Sequence, residues 1–141
     1  MMSIPERLKA ARRLQSEEDY EQFEDALAEI NPAADLALLP ALYEVFDDET
    51  KLLDLMWQLL HLVEDFEEEA GLLALIEKTP YLQEHAPKWL NILWARTLNS
   101  DEALTRLKYE IFPLIDTTSI ADYLRSEPSL QPKAARLFSA R

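Results

Sequence analysis

The stretch KLLDLMWQLLHLVEDFEEEA, residues 51–70, begins almost solidly apolar and closes on a run of carboxylates. Within it Lys51, Asp54, Gln58, His61 and Asp65 recur at spacings of three, four, three and four. At 3.6 residues per turn these positions fall on one narrow stripe of a helix. Leu52, Leu53, Leu55, Met56, Trp57, Leu59, Leu60, Leu62 and Val63 cover the remaining circumference. A surface helix is apolar over about a third of its circumference. This one is apolar over most of it, so it is expected to be central and packed on most sides. Its polar stripe is then its only face toward water or a partner. The bland alternative is a solvated stripe that binds nothing.

The rest of the chain also reads as helices. Gly71 is the single glycine, and the eight prolines fall near expected helix ends. Asn-Gly and Asp-Gly turns are absent, as is sustained two-residue alternation. Ile4, Leu8, Ala11 and Leu14 line a first helix. Ser16 is the expected cap of a second, with Tyr20, Phe23, Leu27 and Ile30 inward. Asn31-Pro32 reads as another helix start, and Pro40 as a bend between two short helices. Thr50 reads as the cap of the central helix. A helix over 67–78 is expected to end before Pro80, and another to run from Ala86-Pro87 to near Asn99. Ser100 caps the next, with Leu104, Leu107, Ile111 and Leu114 inward. Two short helices near 118–126 and 130–139 complete the chain. The fold class is all-α, with about eight to ten short helices. Stacked antiparallel hairpins in a HEAT-like solenoid are expected, with a compact irregular bundle as the alternative, because no repeat of fixed period is present. No low-complexity linker interrupts the helices, so residues 1–141 are expected to form a single domain.

The 141 residues carry a formal charge of −13, unevenly placed. Residues 1–15 have a net +3, residues 16–69 a net −17 and residues 70–141 a net +1. Such a field repels nucleic acid and anionic membrane, and it steers a basic partner. The N-terminus lacks an apolar signal-peptide core, and the longest apolar run falls short of the ~20 residues of a membrane span. A cytoplasmic protein that binds neither membrane nor nucleic acid is expected.

The familiar catalytic and metal patterns are missing from the sequence. There is no cysteine, and the two histidines, His61 and His85, lack a glutamate three residues before them. One glycine supplies no phosphate-cradling loop and no nucleophile elbow. No catalytic residue, metal ligand or cofactor is assigned. Trp89 and Trp94 lie five apart, about 140° round a helix, so at least one should be deeply buried. Arg96 falls on the side of Trp89 and Ile92, where a guanidinium needs a carboxylate; Glu64 is the expected partner.

Asp47-Asp48, Met56-Trp57, His61 and Glu64-Asp65-Phe66 are followed by Ala86-Pro87-Lys88-Trp89 and Arg96-Thr97-Leu98-Asn99-Ser100. In that order and spacing, over about residues 40–112, they resemble immunity family thirty of the bacterial polymorphic-toxin and contact-dependent-inhibition systems. The resemblance implies a small helical protein that binds and neutralises the toxic C-terminal domain of a cognate secreted protein. It implies no catalytic residues, and it gives Trp57, Phe66, Trp89 and Arg96 with Glu64 the look of framework. The Glu67-Glu68-Glu69 run lies outside those motifs and reads as this chain's own feature.

The acid block suits a basic toxin domain, such as a nuclease. The expected partner-facing residues are Asp47, Asp48, Glu49, Asp54, Gln58, His61, Asp65, Glu67 and Glu68, on a chain monomeric when free. Glu17, Glu18, Glu21, Glu24 and Asp25 form a rival acidic surface. A helical-repeat adaptor or chaperone-like module is the competing function; a nucleic-acid mimic and a carboxylate enzyme are further ones.

Overall fold

A computed structural model describes residues 2–138. The chain is all-α, and no strand occurs among the described residues. The helices are irregular in length and joined by 3-10 turns. The chain divides into two compact units, residues 1–87 and 88–141.

The first unit holds α1 (Ile4–Ala11), α2 (Glu17–Ala28), α3 (Leu39–Tyr43), α4 (Leu53–Glu64) and α5 (Glu68–His85). Ser3 and Glu6 close a reciprocal capping box on α1. Ser16 Oγ accepts the Asp19 N–H at 3.1 Å and starts α2, with Glu17, Glu18 and Asp19 beside the positive end of its dipole. α1 packs on α2, α2 on α4, and α4 also meets α3 and α5. The apolar helix is thus central within this unit. Leu55, Met56, Leu59, Leu60 and Val63 are buried and Asp54, Gln58, His61 and Asp65 stay exposed, but the stripe is not the only face toward water, because Leu53 in the first turn is 56 % exposed.

Several local expectations are corrected. α4 begins at Leu53 rather than near Lys51, without a side-chain cap; Thr50 is buried instead. Asn31-Pro32 starts no helix. Asn31 Oδ1 accepts the Ala33 N–H and Asp35 Oδ2 accepts the Asn31 N–H, closing a side-chain turn. Pro40 lies in the first turn of α3, directly after a 3-10 turn at Leu36–Leu38, where its missing N–H costs nothing. α5 continues through Pro80 to His85. A proline inside a helix costs about 3 kcal/mol. Leu75, Thr79 and Leu82 are buried along one side of α5, and the exposed Pro80 turns its lost hydrogen bond outward. Packing of that side holds the helix together.

The cations of α1 bind the fold. Arg7 pairs with Glu29 just past α2, at 2.5 Å. Arg12 and Arg13 reach Asp47 at 3.2 and 3.4 Å, and Arg13 also reaches Glu49. Lys9 of α1 and Lys78 of α5 both grip Glu44, at 2.8 and 2.6 Å. Hydrogen bonds from Lys78 and then Lys9 hold the Glu44 carboxyl below its ordinary range. Its contribution to stability is therefore full above about pH 4.5 and is lost as pH falls through the lowered value. Glu44→Gln is expected to lower the melting temperature at pH 7, and the gap to the parent should close as pH falls below about 4.5 and through the lowered value. Thermal melts across that range test it. A gap that stayed constant would show that charge at Glu44 is irrelevant.

The second unit holds α6 (Pro87–Leu98), α7 (Asp101–Arg106), α8 (Thr118–Ser126) and α9 (Lys133–Leu137). Ser100 caps α7 through the Ala103 N–H. Trp89 and Trp94 are both buried, so α6 is covered on more than one side. Arg96, in contrast, is exposed. Leu114 is 83 % exposed, not inward. α7 widens into a π-helical turn at Leu107–Ile111 and tightens into a 3-10 turn at Phe112–Leu114, so the 3.6-residue period that placed Leu114 inside is broken. Tyr123 of α8 donates to Asn91 of α6, and Phe112 stacks on Phe138 at 5.7 Å. α9 is shorter than the expected 130–139 helix, and residue 139 lies outside the described residues.

Candidate partner-binding surface

The charge asymmetry follows the division into units. Residues 1–87 carry 21 acids and six bases; residues 88–141 carry six acids and eight bases. Five of the six bases of the first unit are engaged with Glu29, Glu44, Asp47 and Glu49. Among the described residues, no ion pair takes up Glu24, Asp54 or Asp65. Folding thus neutralises the acids beside α1, and these pairs leave out Glu24 of α2, Asp54 of α4 and Asp65 after it.

Those acids flank a groove of about 670 Å³ between α2 and α4. α2 contributes Glu24, Asp25, Leu27 and Ala28. α4 contributes Gln58, His61 and Leu62, and Asp65 follows as its C-terminal cap. The helical period puts Gln58, His61 and Asp65 along one wall, as the stripe requires. Burial of Phe23, Ala26 and Leu27 turns Glu24 and Asp25 to the edge of α2 facing that wall. Leu27, Ala28 and Leu62 add apolar surface to the lining. Trp57, half-buried, sets its ring 6.1 Å from that of His61.

The nine expected partner-facing residues separate into three groups. Gln58, His61 and Asp65 share the groove, with Asp54 exposed one turn before Gln58. Asp47, Asp48 and Glu49 lie in the α3–α4 loop beside the arginines of α1. Asp47 is only 6 % exposed; besides its two arginines it accepts the Glu49 N–H at 2.7 Å. It is a framework carboxylate, not a surface one. Asp48 is half-buried, and Glu49 is exposed but paired with Arg13. Glu67 holds the N-cap position of α5 without a side-chain capping bond and Glu68 opens the helix, where carboxylates favour the helix dipole whatever else they do.

The sequence set Glu24 and Asp25 on a surface competing with the stripe; the fold puts them on the opposite wall of the same groove. Leu27 carried the sequence signal of an inward residue only, and Ala28 carried none. Exposure of Ala28 beside buried Leu27 follows only from where α2 crosses α4. Among the described residues, no group of three or more histidine and acidic side chains is placed to hold a metal ion. No helix among them is long and apolar enough to cross a membrane.

An all-helical chain with an acidic groove is a fold that many binding proteins share, and the family comparison narrows it to the immunity proteins. The matching family is Immunity protein 30, over residues 10–107, and the chain belongs to it. The match begins some thirty residues before the motifs that first carried the resemblance, so it takes in α2 as well as α4. An immunity protein has a cognate toxin as its partner. No curated protein and no solved structure matches the chain.

Proposed function

We propose that this immunity protein neutralises the toxic C-terminal domain of a contact-dependent-inhibition or polymorphic toxin, without catalysis, in the cytoplasm of the cell it protects. The whole of residues 1–141 serves as one monomeric binding domain. The toxin domain is basic, as a nuclease would be. The exposed stripe of Asp54, Gln58, His61 and Asp65 lies at the centre of the interface, and Asp48, Glu49, Glu67 and Glu68 lie around it. One observation carries the reading: five of the six bases of the first unit pair with Glu29, Glu44, Asp47 and Glu49, and none of these pairs takes up Glu24 or Asp65 beside the groove. Uncompensated surface charge accelerates encounter with an oppositely charged partner and suppresses wrong ones.

Calorimetric titration with the toxin C-terminal domain encoded beside this gene, at low and high salt, tests the proposal. Nanomolar affinity that weakens as salt rises is expected. Tight binding indifferent to salt would move the interface off the acids. An absence of binding would remove the toxin assignment and favour a general helical adaptor.

A further inference from the structure

We infer that the groove between α2 and α4 receives a short basic segment of the toxin, with apolar side chains over Leu27, Ala28 and Leu62 and lysine or arginine side chains against Glu24, Asp25 and Asp65. The inference rests on the toxin-binding reading above and adds the chemistry of the piece that docks.

The groove is amphipathic in cross-section. Carboxylates stand on both walls, and Leu27, Ala28 and Leu62 line the groove with them. Lysine and arginine match such a section, because their aliphatic stems cover apolar surface while the charged head stays at the rim. The sign of the walls excludes the other common occupants. A phosphate backbone, an anionic lipid surface or an acidic peptide would bring like charge against Glu24, Asp25 and Asp65. An uncharged apolar segment would leave those three carboxylates crowded and less hydrated, with no gain to offset the cost.

The dimensions set the length. From Gln58 to Asp65 the wall runs seven residues, about 10 Å at 1.5 Å per residue. That is two turns of an inserted helix or three residues of extended chain. A volume of about 670 Å³ accommodates a few side chains rather than a whole domain. The remaining toxin surface then rests on the surrounding acids, and the inserted segment is the energetic centre. Interfaces commonly concentrate their affinity in such a desolvated pocket ringed by weaker contacts.

The test compares three variants of the full chain for binding to the same toxin C-terminal domain. Ala28→Trp fills the groove and changes no charge. Ala28 is exposed, so the fold should tolerate it, and circular dichroism with a thermal melt checks this. Glu24→Lys with Asp65→Lys reverses the rims and decides the matter if the tryptophan variant fails to fold. Glu84→Lys makes a charge change on an exposed residue near the end of α5, outside the groove. Affinity is expected to fall about 30-fold or more for the first two and to stay within about threefold for the third. Parental affinity in Ala28→Trp, or an equal loss in Glu84→Lys, overturns the groove while the toxin reading stands. Failure of the parent itself to bind overturns both.

Discussion

Reversing Asp54 and Asp65 together, Asp54→Lys with Asp65→Lys, is expected to slow association with the toxin domain by about 10- to 100-fold at low salt. The change moves four units of charge on one helix face, at two acids that no ion pair takes up among the described residues. Steered association depends on the summed field, so the loss should appear in the on-rate first. The melting temperature should barely move. Both residues are exposed, and exposed substitutions usually fall within about 0.5 kcal/mol. The helix dipole also acts on them in opposite directions. A lysine at Asp54 sits poorly in the first turn of α4, and a lysine at Asp65 sits well at its C-terminal cap. Stopped-flow association at several salt concentrations is the measurement. Parent and variant should converge as salt rises, because at 1 M the screening length is about 3 Å. An unchanged on-rate at low salt would take both acids out of the approach path.

What the sequence revealed depended on how local the deciding physics is. Ser16, Ser100 and Pro87 announced helix starts because capping involves only three or four neighbouring residues. The α4 stripe was legible for a similar reason: a period of 3.6 needs no knowledge of what packs against the helix, only that something does. Pro80 and Leu114 were misread where a local rule met a packing constraint. At Pro80 the buried side of α5 outweighed a helix-breaking residue, and at Leu114 a π-helical turn reset the phase of the pattern. The acids were the hardest to sort. Asp47 opens an acidic turn and Asp54 sits between leucines, yet neither neighbourhood shows which of the two meets a distant cation. Arg12 and Arg13, more than thirty residues earlier, convert the first into framework and never reach the second. The groove was invisible for the same reason, since its two walls come from helices about thirty residues apart that meet only in the fold.

Asp47→Ala should behave as the mirror image of the charge reversal, costing stability rather than recognition. Its carboxylate is 6 % exposed, 3.2 Å from the Arg12 Nε and 3.4 Å from the Arg13 Nε, and it also accepts the Glu49 N–H. Alanine leaves that N–H without its acceptor and strips the counter-charge from Arg12, which is about one quarter exposed. Removing a hydrogen-bonded charged partner costs roughly 2–3 kcal/mol, and the partial exposure of both arginines keeps the figure at that level rather than the higher values of fully buried pairs. For a domain of this size the melting temperature should drop by on the order of 10 °C. Asp47→Asn keeps an oxygen for the Glu49 N–H and should lose about half as much. At a temperature where the variant remains folded, its affinity for the toxin domain should match the parent's, because the residue is turned toward α1 and away from the α2–α4 groove. Differential scanning calorimetry beside a binding titration separates the two effects. A parental melt combined with weakened binding would return Asp47 to the interface and would mean that the α1 arginines release it when the toxin docks.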